Sequence, residues 1–175
     1  LTYNGSAQKP TPVFADSVEI GQLPEGALVY EVTAKEGSTL TDENAVNAGA
    51  YTVTVSIAPD FAEQYELAGD NLSTDFTIEK LEVVLKWEAV GDLVYNGKEH
   101  TATATVNNKQ GDDVKVIVGL VNGNNNVNVG EFFYEATGLS GADAGNYSLP
   151  AEKRHSFTVT PAQVELTWNF EENAA

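Results

Sequence analysis

The chain has 175 residues, 9 of them basic and 26 acidic, for a net charge of −17, and it contains no cysteine. Absence of cysteine rules out a disulfide, a thiol nucleophile and a thiolate metal site. The negative field repels nucleic acid and anionic membranes, and no apolar run approaches the length that spans a bilayer, so neither nucleic acid nor membrane insertion of this segment is expected.

Taken in chain order, Tyr3-Asn4-Gly5 opens on turn chemistry, and Tyr51, Val53, Val55 and Ile57 then alternate with Thr52, Thr54 and Ser56. That period of two predicts a half-buried strand. Pro59 to Leu67 is the one helical candidate, a turn or two with Pro59 at its first position. In the second half, strands are predicted near 82–87, 93–95, 100–106, 113–119, 131–137 and 155–160, with a short extended piece at 147–149. Asn96-Gly97, Gly111-Asp112 and Gly141-Ala142-Asp143 supply turns between them. Asn122 to Asn128 reads as a long polar loop.

The chain also repeats itself. Tyr51 matches Phe132, Asp75-Phe76-Thr77-Ile78 matches Ser156-Phe157-Thr158-Val159, and Val83 to Trp87 matches Val164 to Trp168, all 81 residues apart; Asn47-Ala48-Gly49 matches Asn128-Val129-Gly130 in the same register. A fixed period of this length decides the architecture before any single motif does. It predicts an all-β chain of two tandem small antiparallel β domains: residues 1–80, residues 81–161, and an opening strand of a third, truncated repeat at 162–175. The first repeat lacks a counterpart of the Trp87 strand, so the chain reads as an excerpt of a longer array. Tyr3-Asn4-Gly5 lies 92 residues before Tyr95-Asn96-Gly97. The 11 extra residues of the first repeat are placed near 15–25, since surface loops lengthen at small entropic cost. The connection Glu79-Lys80-Leu81 is short, which implies limited slack between neighbouring repeats of the chain.

Most singled-out residues read as structural. Val83, Leu85 and Trp87 share one strand face, and Val164, Leu166 and Trp168 the equivalent one. Trp87 and Trp168 therefore read as packing residues before sugar-stacking platforms. Tyr51, Phe76, Phe132 and Phe157 read as matched core aromatics, and Gly49 and Gly130 as matched backbone positions. Asp143-Ala144-Gly145-Asn146-Tyr147 resembles the tyrosine corner of immunoglobulin-like domains, in which the Tyr hydroxyl bonds back to nearby backbone; Asn47 to Tyr51 is a looser match. The register pairs Gly49 with Gly130 and not with Gly145, which keeps a β-grasp-like sheet beside the immunoglobulin-like sandwich. His100 and His155 have no counterparts in the first repeat and read as surface or edge positions. No cofactor is expected. Calcium is left open at Asp70-Asn71, Asp75, Glu79, Asp92 and Asp112-Asp113, although none has the spacing of a known calcium loop. No local pattern of nucleophile and base stands out, so no catalytic residues are expected.

Tyr3-Asn4-Gly5, Asn47 to Val55 and Phe76 to Lys80 in the first repeat resemble the tandem MBG and YDG repeats of bacterial surface proteins and adhesins. Tyr95-Asn96-Gly97, Leu139 to Tyr147 and Phe157 to Ala162 carry the same resemblance in the second. The resemblance implies an extracellular setting, on the cell surface or secreted, and an acidic stalk that projects another domain. Adhesion to glycans or to host or matrix proteins through variable loops is the alternative, and an accessory module of a large secreted enzyme is the third.

Overall fold

Strands form where Val, Thr and aromatic residues alternate, and the result is all-β, with no α-helix among the described residues. The computed structural model describes residues 1–13, 23–121 and 125–169. The strands are β1 (Leu28–Ala34), β2 (Gly49–Ile57), β3 (Ser73–Ile78), β4 (Leu81–Glu82), β5 (Leu85–Val90), β6 (Thr101–Val106), β7 (Lys115–Leu120), β8 (Gly130–Ser140), β9 (Tyr147–Ser148) and β10 (Arg154–Val159). The helical candidate becomes a single 3-10 turn, Pro59–Phe61, with Pro59 at its start. Residues 161–169 carry no strand.

The chain divides into two units that do not follow the 80/81 boundary of the sequence period. The first comprises Leu1–Val84 with Asn107–Lys115 and Leu139–Pro150; the second comprises Leu85–Val106, Val116–Gly138 and Ala151–Ala175. In the first unit, β1, β2 and β3 form an antiparallel sheet, with Tyr51 opposite both Ala34 and Phe76. Tyr3, Ala27, Ala45, Tyr51, Val53, Ile78, Val83, Val114 and Tyr147 are its buried apolar residues. The short pair β4–β9 is parallel, an exception to the antiparallel expectation. In the second unit, β10, β8 and β7 form one sheet and β5 pairs antiparallel with β6. Its core is Ala102, Phe132, Tyr134 and Val159, covered by Trp87, Leu93, Val118 and Phe157.

The same pairings occur in both units. Gly49 faces Ile78 and Gly130 faces Val159; Tyr51 faces Phe76 and Phe132 faces Phe157. Tyr3 N–H bonds Glu79 O and Glu79 N–H bonds Leu1 O; Tyr95 N–H bonds Thr160 O and Thr160 N–H bonds Leu93 O, all four at 2.8 Å. Gln8 N–H reaches Ala45 O as His100 N–H reaches Asn126 O, at 2.9 Å each. The Asn side chain of each Tyr-Asn-Gly caps the N–H two residues on, at Ser6 and at Lys98.

Most of the expected insertion at 15–25 falls on residues 14–22, outside the described residues. The strand register nevertheless locates part of the extra length elsewhere. In the first unit Thr33 faces Thr52, 19 residues on. In the second, Val121 N–H bonds the O of Phe133, the counterpart of Thr52, only 12 residues on. Seven of the eleven extra residues therefore lie in the β1–β2 connection, where Thr41 and Asn44 bridge each other and Asp42 and Glu43 take positive φ.

Candidate functional site

The singled-out aromatic positions divide into packed ones and an exposed one. In the first unit Tyr51 is fully buried and stacks on Phe76, ring centroids 5.5 Å apart. Phe132 and Phe157 repeat this stack at 5.9 Å in the second. Trp87 lies opposite Ala104, covers the Phe132 core and stacks flat on His155 at 5.9 Å. Trp168, by contrast, is 80% exposed in the irregular segment 161–169. Ser38 Oγ lies 2.6 Å from where a side chain on Gly49 would begin. Gly130 has φ +139, a backbone that residues with a Cβ rarely adopt.

The corner hydrogen bond belongs to Tyr51. Its hydroxyl donates toward Asn47 O at 2.8 Å and lies 3.1 Å from Thr39 O, a return to backbone four residues upstream. Burial pushes its pKa up. Tyr147 does something else. Its hydroxyl accepts Lys109 N–H at 2.9 Å and donates to Asp112 Oδ2 at 2.6 Å. Tyr3 donates to the same oxygen at 2.9 Å, and the two rings meet edge to face at 5.5 Å. Desolvation first, and the Asp112 carboxylate second, push Tyr3 up to about 12; the same causes raise Tyr147. Asn146, in the turn before Tyr147, accepts Ala48 N–H at 2.8 Å and donates to the Asn47 side chain at 3.0 Å. This cluster closes the first unit around its Asn47-Ala48-Gly49 turn, and no local sequence pattern marks it, because Tyr3 and Asp112 are 109 residues apart.

Three of the acidic residues considered for calcium, Asp75, Asp112 and Asp113, have other side-chain partners. Asp112 holds the two phenols. Asp75 takes an ion pair with Lys35 and a hydrogen bond from Thr52, and the Lys35 bond leads the causes that hold its carboxyl below the ordinary aspartate range. Asp113 Oδ2 accepts Ala142 N–H at 3.2 Å, and its Oδ1 pairs with Lys115 at 3.3 Å. Among the described residues, no three His, Asp or Glu side chains converge as a metal site would require. Of the two histidines, His155 is exposed on the edge strand β10, as read from the sequence, and His100 is not. His100 is buried, with its carbonyl accepting Asn126 Nδ2 at 3.0 Å and Tyr134 OH at 3.2 Å; its Nε2 has no partner. His155 sits between Trp87 and Phe157.

Besides an open groove of about 650 Å³ along Val29 to Thr33, Leu40 and Asp42 to Asn44, two kinds of depression are found among the described residues. In the second unit Val121, Phe133, Arg154, His155 and Ser156 line an open hollow of about 430 Å³. In the first, adjoining clefts of about 80 and about 300 Å³ run along Pro10 to Val13, Val55 and Leu72. Of the variable loops proposed to carry contacts, Asn122 to Asn128 is described only from Asn125. There the Asn125 side chain accepts the Val127 and Asn128 N–H groups, and Asn126 is buried.

No family model, no curated protein and no solved structure matches the chain.

Proposed function

We propose that the chain is a structural spacer: two copies of one β module, of immunoglobulin-like or β-grasp-like type, from a bacterial cell-surface or secreted protein that project another domain. The observation that carries this reading is the recurrence of the same closing contact. In each module the segment leading into Tyr-Asn-Gly lies parallel to the end of the last strand, Thr2 beside Glu79 and Val94 beside Thr160. In the first module the two parallel segments lie at entry and exit, which puts their hydrogen bonds across the line of pull when the ends are drawn apart. The bonds are then sheared together and not unzipped one at a time, which suits a module held under tension. The residues shared between modules are mainly apolar, Gly or turn residues, which specify a fold and not a ligand site. The net charge of −17 keeps such surfaces soluble and mutually repelling. No catalytic role enters this reading.

Adhesion is the second reading, and the hollow at Phe133 and His155 is what favours it, since an exposed aromatic beside Arg154 offers both stacking and charge. A binding screen of the 175-residue chain against glycans, mucins and matrix proteins, with calcium and with chelator, separates the two. The spacer reading predicts no saturable binding. A specific ligand lost on Phe133→Ala, with the fold intact, overturns it.

A further inference from the structure

β1 pairs with β2 on one side and, among the described residues, with no strand on the other. Its ladder is anchored by Lys35 N–H on Ala50 O at one end and by Ala58 N–H on Ala27 O at the other. Antiparallel bonding alternates, so Val29, Glu31 and Thr33 bond to β2, while the main chains of Leu28, Tyr30, Val32 and Ala34 point to the open edge. None of those four makes another main-chain bond among the described residues. The groove of about 650 Å³ follows this edge and not one face of the sheet. Val29, Glu31 and Thr33 line it from the outer face, and Tyr30 and Val32 from the half-buried face.

Its other wall is Leu40 and the tight turn at 41–44. Thr41 and Asn44 exchange two main-chain bonds at 2.9 Å, and Asp42 and Glu43 between them both take positive φ. That is the geometry of a type I′ hairpin turn. It sets two carboxylates beside the edge, and Glu31 on the edge is a third. Among the described residues none of the three has a basic partner. On the half-buried face Lys9 Nζ already covers the Tyr30 ring at 4.3 Å. The wall belongs to the extra length of the β1–β2 connection and has no counterpart in the second unit. There, counting from Val121 against Thr33, the residue that matches Glu31 is Gly119. The second unit has its β5–β6 pair in place and still leaves β7 with β8 as its one partner among the described residues, so the open edge is a property of the module.

We infer that this groove takes an extended peptide segment that carries a basic side chain, added to β1 as a strand. The N–H and C=O of Tyr30 and Val32 supply the main-chain bonds, and alternate side chains of the guest are read by the outer face. A Lys or Arg of the guest lies across from Glu31, with β-branched neighbours opposite Val29 and Thr33. The net charge of −17 draws a cationic segment toward the same place. A second copy of the chain is a poor guest, because pairing β1 with β1 about its centre sets Glu31 against Glu31. This binding goes beyond the projecting role and leaves it in place.

The test uses the 175-residue chain and two end-blocked peptides, Thr-Val-Thr-Lys-Thr-Val-Thr and the same sequence with Glu for Lys. Backbone NMR and amide exchange follow the titration. The Lys peptide should shift the β1 resonances saturably and slow exchange at the Tyr30 and Val32 N–H groups, leave β7 unmoved, and weaken as salt rises. The Glu peptide should not bind. Glu31→Lys, an exposed change, should lower the affinity for the Lys peptide about tenfold. Val32→Pro removes an edge N–H without touching the β2 ladder and should abolish binding; if that variant fails to fold, Glu31→Lys decides. Phe133→Ala, in the other unit, should change nothing, which separates this groove from the hollow beside His155. Absence of shifts and protection at Tyr30 and Val32 overturns the proposal. So does equal binding of the two peptides, or an affinity that Glu31→Lys leaves unchanged.

Discussion

Raising the pH should unlock the Tyr3–Asp112–Tyr147 cluster in a way that Tyr3→Phe abolishes in part. Tyr3 is 5% exposed, and its phenol donates to a carboxylate, so the folded state keeps the proton while the unfolded chain loses it near pH 10. With a folded pKa of about 12, the stabilisation is complete below pH 10 and declines as pH rises toward 12. At 1.36 kcal/mol per unit, ionisation of the unfolded chain removes about 1.4 kcal/mol by pH 11 and about 2.3 kcal/mol by pH 12 through this one group. At pH 8, Tyr3→Phe loses only the hydrogen bond to a charged acceptor, about 1.5 kcal/mol. The variant and the parent should therefore converge as pH rises to about 11 and cross by pH 12, where the variant is the more stable by about 0.8 kcal/mol. Urea denaturation from pH 8 to 12, with tyrosinate absorbance followed in parallel, reads both effects. Tyr147 titrates late in both proteins, so the difference between the curves belongs to Tyr3. Two curves that stay parallel from pH 8 to 12 would refute the reasoning.

Further outcomes follow from the same packing. Phe132→Ala empties the fully buried centre of the second unit and should cost about 3–5 kcal/mol in chemical denaturation. Gly130→Ala, at φ +139, should cost about 1–3 kcal/mol through backbone strain, visible as a lowered melting temperature. Lys35→Met removes the leading cause of the depressed Asp75 pKa, so the carboxyl should titrate closer to an ordinary aspartate when followed by NMR, with little change in stability at this exposed pair.

The alternation of apolar and β-branched residues made β2, β6, β8 and β10 legible to within a few residues, and the tight-turn character of Pro59–Phe61 followed from its proline. The aromatic pairs Tyr51–Phe76 and Phe132–Phe157 recur at the spacing of 81, because matched residues of like size meet the same neighbours. What the sequence did not reveal was non-local. The strand run that ends in Trp87 is divided between β4 and β5, which join different sheets. Asp112 looks like a calcium ligand by composition and is committed to two phenols by the fold. His100 looks like an edge residue and is buried, since its neighbours Asn126 and Tyr134 arrive from 26 and 34 residues away. Tyr51 and Tyr147 exchanged the expected roles because a corner motif defines spacing but not which carbonyl lies within reach. An offset counts inserted residues without locating them; the strand register places seven of the eleven in the β1–β2 connection.

The central claim, a module that closes on parallel segments and carries tension, is tested most directly by single-molecule pulling on the chain through its two ends. The account predicts discrete, high-force steps as a parallel clamp shears, with the first-module step weakened by Glu79→Pro, which removes the N–H that bonds Leu1 O. Gradual extension at low force, with no discrete step and no effect of Glu79→Pro, would contradict it.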